Sequence, residues 1–257
     1  LRTTYLTKTL IAAFLATLLI PATVTLGADY ALQDEPGKHL DVLQDGKIVG
    51  RYMYALDLSD KDARHETYKP FLHVFDPQGE EPITKGAGGR FTHHRGVFRG
   101  WSKLTLDGKR YDTWHMKGVV QKHLEFTEKD ACKDGASFTS LIRYQKDDGT
   151  PLLQEKRTMA FKKPPQGAYA MLDVTSTVKA IAGAVKLHGD PEHAGLQFRP
   201  ANDITKSETV YYFPGKGTDP RKDRDIPWVA ESFVVHGNQH CTVVYLNHLE
   251  NSDGAIF

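Results

Sequence analysis

An all-β protein, built as an antiparallel β-sandwich, is what this sequence predicts, and three observations predict it. Asp-Gly pairs recur at 45–46, 107–108, 134–135, 148–149 and 253–254, a dipeptide suited to tight hairpins because both central positions tolerate positive φ. The segments between them are short and rich in β-branched and aromatic residues. Outside the N-terminus, no window of 12 or more residues carries a 3.6-residue apolar stripe.

The strands follow in order. Leu40, Val42, Ile48, Tyr52 and Tyr54 flank the first turn; Lys103–Leu106 and Tyr111–His115 flank the second; Phe138–Tyr144 and Leu152–Phe161 flank the fourth. Further strands are expected within Tyr169–Val178, Gly195–Arg199, Val210–Phe213, Trp228–Val235 and Cys241–Leu246. Ser176–Leu187 is the best helical stretch, but Gly183 interrupts it and it reads as two strand ends. Pro214–Pro227, rich in proline and charge, reads as a long loop. Many short strands joined by turns imply a sandwich or barrel, here as a single domain.

The N-terminus has the three-part layout of a secretory signal peptide. Arg2 and Lys8 precede an apolar run, Leu10–Ala22, and small or polar residues follow before the first acid, Asp29. The expectation is a signal over residues 1–28, cleaved near Gly27 or Ala28, and a single mature domain over 29–257 in the periplasm or outside the cell. The run is short for a membrane span, and a retained N-terminal anchor is the alternative. At the other end Gly254–Phe257 reads as a strand entering a core, which implies further residues beyond it.

Charge and cysteine content exclude several classes of function. Lys and Arg number 33 against 32 Asp and Glu, so there is no electrostatic case for a nucleic-acid partner. Two cysteines cannot build a disulfide-dense scaffold or a four-thiolate zinc site. Export makes a Cys132–Cys241 bond permissible. No Gly-x-Ser-x-Gly elbow is present, and Lys85–Arg90 lacks the glycine spacing of a phosphate loop. The sequence names no cofactor.

The densest chemically capable cluster is Arg90–Trp101. As an extended strand it places Phe91, His93, Arg95, Val97, Arg99 and Trp101 on one face and Thr92, His94, Gly96, Phe98 and Gly100 on the other. Two arginines, a histidine and an indole on one face suit a sugar or a carboxylate, because guanidinium forks match such acceptors. A second strand puts His193, Gly195, Gln197 and Arg199 on one face over Ala194, Leu196 and Phe198. Trp114 is expected in the core, with His115 turned the other way to join the first cluster. His93, His115 and His193 are thus the candidate acids and bases, suited to proton transfer near neutral pH. Glu155 or Glu192 is the complementary carboxylate, although Glu155 also reads as half of a buried pair with Arg157. Arg95, Arg99, Trp101, Gln197, Arg199 and His94 are the candidate binding residues. His39, His65 and His123 read as surface residues, and His236 and His240 lie four apart, which is not ligand spacing on a strand.

Taken together, Tyr68–His73, Thr92–Trp101, Asp112–His115 and His193–Arg199 resemble the PmoA-like family of secreted or periplasmic bacterial proteins. The resemblance spans about Val42 to the C-terminus, and His93-His94-Arg95-Gly96 is its most specific part. It implies a galactose-mutarotase-like supersandwich, a fold that hosts sugar epimerases, lyases and hydrolases. The family carries the label "methane oxygenase", but a chain with one apolar run, at its N-terminus, is not a multi-span membrane subunit. The expectation is an exported carbohydrate-active protein performing acid–base chemistry on a sugar or oligosaccharide fragment, with no nucleic-acid partner and no membrane span after signal cleavage. The alternatives are a non-catalytic carbohydrate-binding module and a metal-dependent oxygenase. The last needs three of the named histidines converging on one point.

Overall fold

A computed structural model describes residues 30–189, 192–220, 222–248 and 250–251. The expected signal segment, the 253–254 turn and the C-terminal strand lie outside these. The elements run β1 (Tyr30–Glu35), β2 (His39–Gln44), β3 (Lys47–Met53), α1 (Lys61–Thr67), β4 (Phe71–Val74), β5 (Val97–Trp101), β6 (Lys103–Leu106), β7 (Lys109–Tyr111), β8 (Val119–Cys132) and β9 (Gly135–Lys146). They continue with β10 (Pro151–Lys162), β11 (Met171–Ala180), β12 (Val185–His188), β13 (Ala194–Phe198), β14 (Val210–Tyr212), β15 (Trp228–Val235) and β16 (Gln239–Leu246). The fold is all-β and its named strands pair antiparallel, as the hairpin signals predict. Asp45 and Gly46 take φ of 50° and 79°, and Asp107 and Gly108 take 48° and 73°, the positive pair that a two-residue turn needs.

Two sheets face each other. A six-stranded sheet in the order β1-β2-β3-β4-β5-β13 packs its inner face on a four-stranded sheet, β11-β10-β9-β8. Leu40, Val42, Tyr52, Leu72 and Val97 from the first meet Phe138, Met159 and Phe161 from the second. Each such fully buried side chain contributes about 1.5–3 kcal/mol. Gly50 admits the Phe161 ring, since a Cβ there would stand 2.3 Å from Phe161 Cζ. Two three-stranded sheets, β12-β6-β7 and β14-β15-β16, extend the molecule over further apolar clusters. Cys132 is exposed, Cys241 is buried, and both are free thiols, so the permissible disulfide is not formed.

A charged network lies inside the four-stranded sheet. Arg157 donates to both Glu155 carboxylate oxygens at 2.9 and 2.7 Å, with both side chains fully buried. Tyr144 Oη and Ser176 Oγ donate to the same carboxylate at 2.7 and 2.5 Å. Burial alone would raise the Glu155 pKa, but the Arg157 guanidinium overcomes it and holds the carboxyl at about 2.

Removing one partner of such a pair strands the other's charge, so Glu155→Ala is expected to cost about 3–5 kcal/mol in urea unfolding. Glu155 is more acidic in the fold than in the unfolded chain, where glutamate titrates at about 4.3. Its stabilisation is therefore complete above that pH and is lost as pH falls from there to about 2. A wild-type unfolding midpoint that falls no more steeply than the variant's over this interval contradicts the assignment.

Candidate functional site

The outer face of the six-stranded sheet carries the site. Phe98 and Gly100 alternate outward from β5, and Phe71, Phe98 and Trp114 form a separate buried cluster there. The turn after β7 is clamped onto β5. Thr113 N–H donates to Trp101 O at 2.9 Å, Trp101 N–H donates to Thr113 Oγ1 at 2.9 Å, and Thr113 Oγ1 donates back to Trp101 O at 3.1 Å. Gly100 permits this approach, because a Cβ there would stand 2.4 Å from Thr113 O. Lys69 Nζ donates to Trp114 O at 2.6 Å, and Gln121 Nε2 donates to Arg99 O at 2.8 Å, between the two backbones.

Within the turn, Asp112 fixes His115. Its Oδ1 accepts the backbone N–H of Trp114 at 3.2 Å and of His115 at 2.8 Å, and its Oδ2 lies 2.9 Å from His115 Nδ1. A carboxylate only accepts, so Nδ1 carries a proton, and in the neutral tautomer the lone pair sits at Nε2.

Four histidines from three segments meet beside this dyad. Ring centroids are 4.4 Å apart for His94 and His93, 4.3 Å for His93 and His115, and 5.6 Å for His115 and His193. Trp114 touches both ends of the row, 6.2 Å from His94 and 5.5 Å from His193. Burial, then the charges of His115, Lys69 and His193, lowers His93 to about 4. Burial, then Arg199, His93 and Lys69, lowers His94 to about 3. Both are neutral imidazoles at physiological pH, and the buried His93 Nε2 has no hydrogen-bond partner among the described residues.

His93 and His115 open onto a cleft of about 560 Å³, lined also by Arg64, His65, Tyr68 and Lys117. Arg64 is fixed by Met116 O, Val119 O and the Asp147 carboxylate at 3.0, 2.9 and 2.8 Å. No group of three His, Cys, Asp or Glu side chains among the described residues is placed to hold a metal ion.

The structure brings together His93, His94, His115 and His193. It also puts Gln197, on the Phe98 face of β13, and Arg199, whose charge reaches His94, on the same outer side. It corrects the reading of 91–96 as strand. Phe91 has φ of 55°, His94 N–H closes a turn on Phe91 O at 2.9 Å, and β5 begins only at Val97. The cause is Arg95, which is wholly buried rather than presented to a ligand. Its guanidinium donates to Thr92 O, His94 O and His65 O at 2.6, 2.8 and 2.5 Å, curling the loop around itself.

Arg99 and Trp101 belong to the inner face of β5. Trp101 is buried in the core beside Tyr144, and the Arg99 guanidinium lies 5.0 Å over its ring, so neither joins the histidines. Glu155 is consumed by the Arg157 network. Leu196 is 43% exposed rather than packed beneath β13. His65 lines the cleft, and His123 is wedged between Tyr54 and Phe126 at 4.5 and 4.3 Å, so neither is a plain surface residue. Asp112, Arg64 and Lys69 went unassigned by sequence reasoning. Asp112 carried a usable signal, an aspartate three residues ahead of a histidine just after a hairpin.

Residues 39–255 match the family model described as a family of unknown function, DUF6807. No curated protein and no solved structure matches the chain.

Two tests follow from the geometry. Gly100→Ala forces the clamped turn off β5 and is expected to cost about 1–3 kcal/mol while weakening the His93–His115 contact; an unchanged unfolding midpoint contradicts the clamp. For His93 and His94 the folded pKa lies below the unfolded value of about 6.5. Stability is therefore complete above that pH and is lost as pH falls from there to about 4 for His93 and about 3 for His94. In ¹⁵N spectra both rings are expected to stay neutral down to pH about 5, and titration of either near 6.5 contradicts the burial argument.

Proposed function

We propose that this chain, which belongs to the DUF6807 family of unknown function, binds a sugar or sugar acid in the outer-face cleft and performs proton transfer on it. The observation that carries the reading is the Asp112–His115 dyad set beside an unpartnered His93 nitrogen at the cleft wall. His115 Nε2, with its lone pair facing away from Asp112, serves as the general base. His93, neutral and without a partner at Nε2, is the second proton carrier. Arg64 and Lys117 supply positive charge for a carboxylate or for oxyanion character developing at the reacting centre. A cleft of about 560 Å³ lies within the range of ligand pockets.

The N-terminal leader expected from the sequence supports an extracytoplasmic setting for this chemistry. No helix among the described residues is long and apolar enough to cross a membrane. The galactose-mutarotase-like arrangement implied by the PmoA-like resemblance is the topology proposed for the two facing sheets. It gives the sugar class preference over other polar ligands.

Calorimetric titration with neutral sugars, uronic acids and unsaturated uronides tests the reading. At least one is expected to bind, with turnover falling about 10²–10⁴-fold in His115→Ala and somewhat less in Asp112→Asn. Binding that survives in both variants with no turnover in the wild type reassigns the cleft to a non-catalytic binding module. Binding unaffected by substitution of His93, His115 and Arg64 removes the cleft from the account.

A further inference from the structure

Lys69 stands out on the same face for a different reason. Its side chain is buried, with the residue only 2% exposed. Its Nζ has one hydrogen-bond acceptor among the described residues, Trp114 O at 2.6 Å, and forms no ion pair with any of them. The rest of its surroundings are aromatic, with the Phe98 and Tyr68 ring centroids 4.3 and 5.3 Å away. An ammonium carries three donors, and burying one with a single acceptor is costly. Burial, followed by repulsion from Arg95 and Arg157, holds this amine well below the ordinary lysine range, against the opposing pull of Asp112 and of the two ring faces beneath it. A desolvated lysine with a lowered pKa is a better nucleophile near neutral pH than a surface lysine.

The residue also lines a second cavity, of about 200 Å³, which shares Phe71 with the Phe71–Phe98–Trp114 cluster. Phe71, His73, Gly86 and Glu66 share its walls. His73 is largely buried, burial pushes it down to about 4, and its Nδ1 lies 3.1 Å from Thr84 Oγ1. A neutral imidazole both gives and takes a proton, so the cavity pairs an amine with a proton carrier. At roughly 30 Å³ per water-sized unit, it has room for a ligand of about six non-hydrogen atoms.

We propose that Lys69 forms a reversible imine with a small hydroxylated aldehyde or ketone admitted to this second cavity. The Nζ lone pair adds to the carbonyl carbon while the C=O π pair moves to oxygen. The nitrogen then loses a proton and the oxygen gains one, giving a carbinolamine. Water leaves as the nitrogen lone pair forms C=N. The sum is amine plus carbonyl to imine plus one water, with no oxidant or reductant. The proposal rests on no part of the cleft reading, and each can fail without the other. It also distinguishes Lys69 from a merely structural prop for Trp114 O, which would need no access from a cavity.

The test is reductive trapping on the full chain. The protein is incubated with glyceraldehyde and cyanoborohydride at pH 7, digested, and the labelled lysines are mapped by mass spectrometry. Surface lysines, with pKa about 10.4, are only about 0.04% unprotonated at this pH. Lys69 is expected to be labelled at least about tenfold faster than any of them, and to lose far less rate when the pH drops to 6. Gly86→Ala places its methyl 3.6–3.7 Å from the His73 ring, ordinary contact that narrows the cavity without strain, and is expected to slow the Lys69 label alone. A Lys69→Met variant with a wild-type circular dichroism spectrum and no fast label confirms the site. The wild-type comparison decides the matter even where that variant does not fold. Lys69 left unlabelled, or labelled no faster than the surface lysines, overturns the proposal. A fast label unchanged in Gly86→Ala overturns the cavity as the route of entry.

Discussion

The contact on which the rest of the site depends is the seating of the Asp112–Met116 turn on β5. The two backbones come together because Gly100 has no side chain to hold them apart and because Thr113 and Trp101 exchange three hydrogen bonds. Lys69 ties down the next carbonyl in the turn. Once the turn is seated, Trp114 is fully buried against Phe98 and His115 emerges at a fixed angle beside Asp112. The other histidines arrive by separate routes. His93 and His94 ride on the loop that curls around Arg95, and His193 is delivered by the pairing of β13 with β5, extended by Ser102 N–H to His193 O at 2.9 Å.

Buried polar groups in this fold are met in two ways. Within the sandwich, the Glu155 carboxylate collects Arg157, Tyr144 and Ser176, so a buried charge is matched by donors around it. Among the described residues, His93 Nε2, Trp114 Nε1 and Arg199 Nε on the outer side are buried without a hydrogen bond, as is Arg99 Nε on the inner face, and Lys69 is buried with one. Leaving a buried polar group unmade costs about 1–3 kcal/mol. Two of these residues, His93 and Lys69, line cavities, which is the pattern of a surface completed by a ligand.

Much of the architecture was legible because its signals are local. Asp-Gly at 45–46 and 107–108 fixes two hairpins through the φ values those residues tolerate. The polar face of Gly195 and Gln197 followed from the two-residue period of a short strand. The joining of His115 to His93 and His193 was legible as well, since Trp114 takes the core and turns His115 the other way. What was not legible depends on long-range packing. Alternation carried backward from β5 through residues 91–96 failed because Arg95 finds its acceptors in the loop itself and in α1, at His65 O. Arg99 and Trp101 obey the alternation, yet sequence does not say which face of β5 meets the second sheet. Lys69 has no local pattern at all, because its burial results from Phe98 and Trp114 closing over it from elsewhere in the chain.

The central claim is that the outer-face histidine cluster is a ligand site rather than an unusual piece of packing. A crystal structure of the protein grown with the tightest-binding sugar acid tests it most directly. The account predicts ordered density in the cleft, with a ligand oxygen in hydrogen-bond reach of His93 Nε2 and a second polar atom facing His115 Nε2. An empty cleft at saturating ligand, or density bound on the sheet away from His93 and His115, contradicts it.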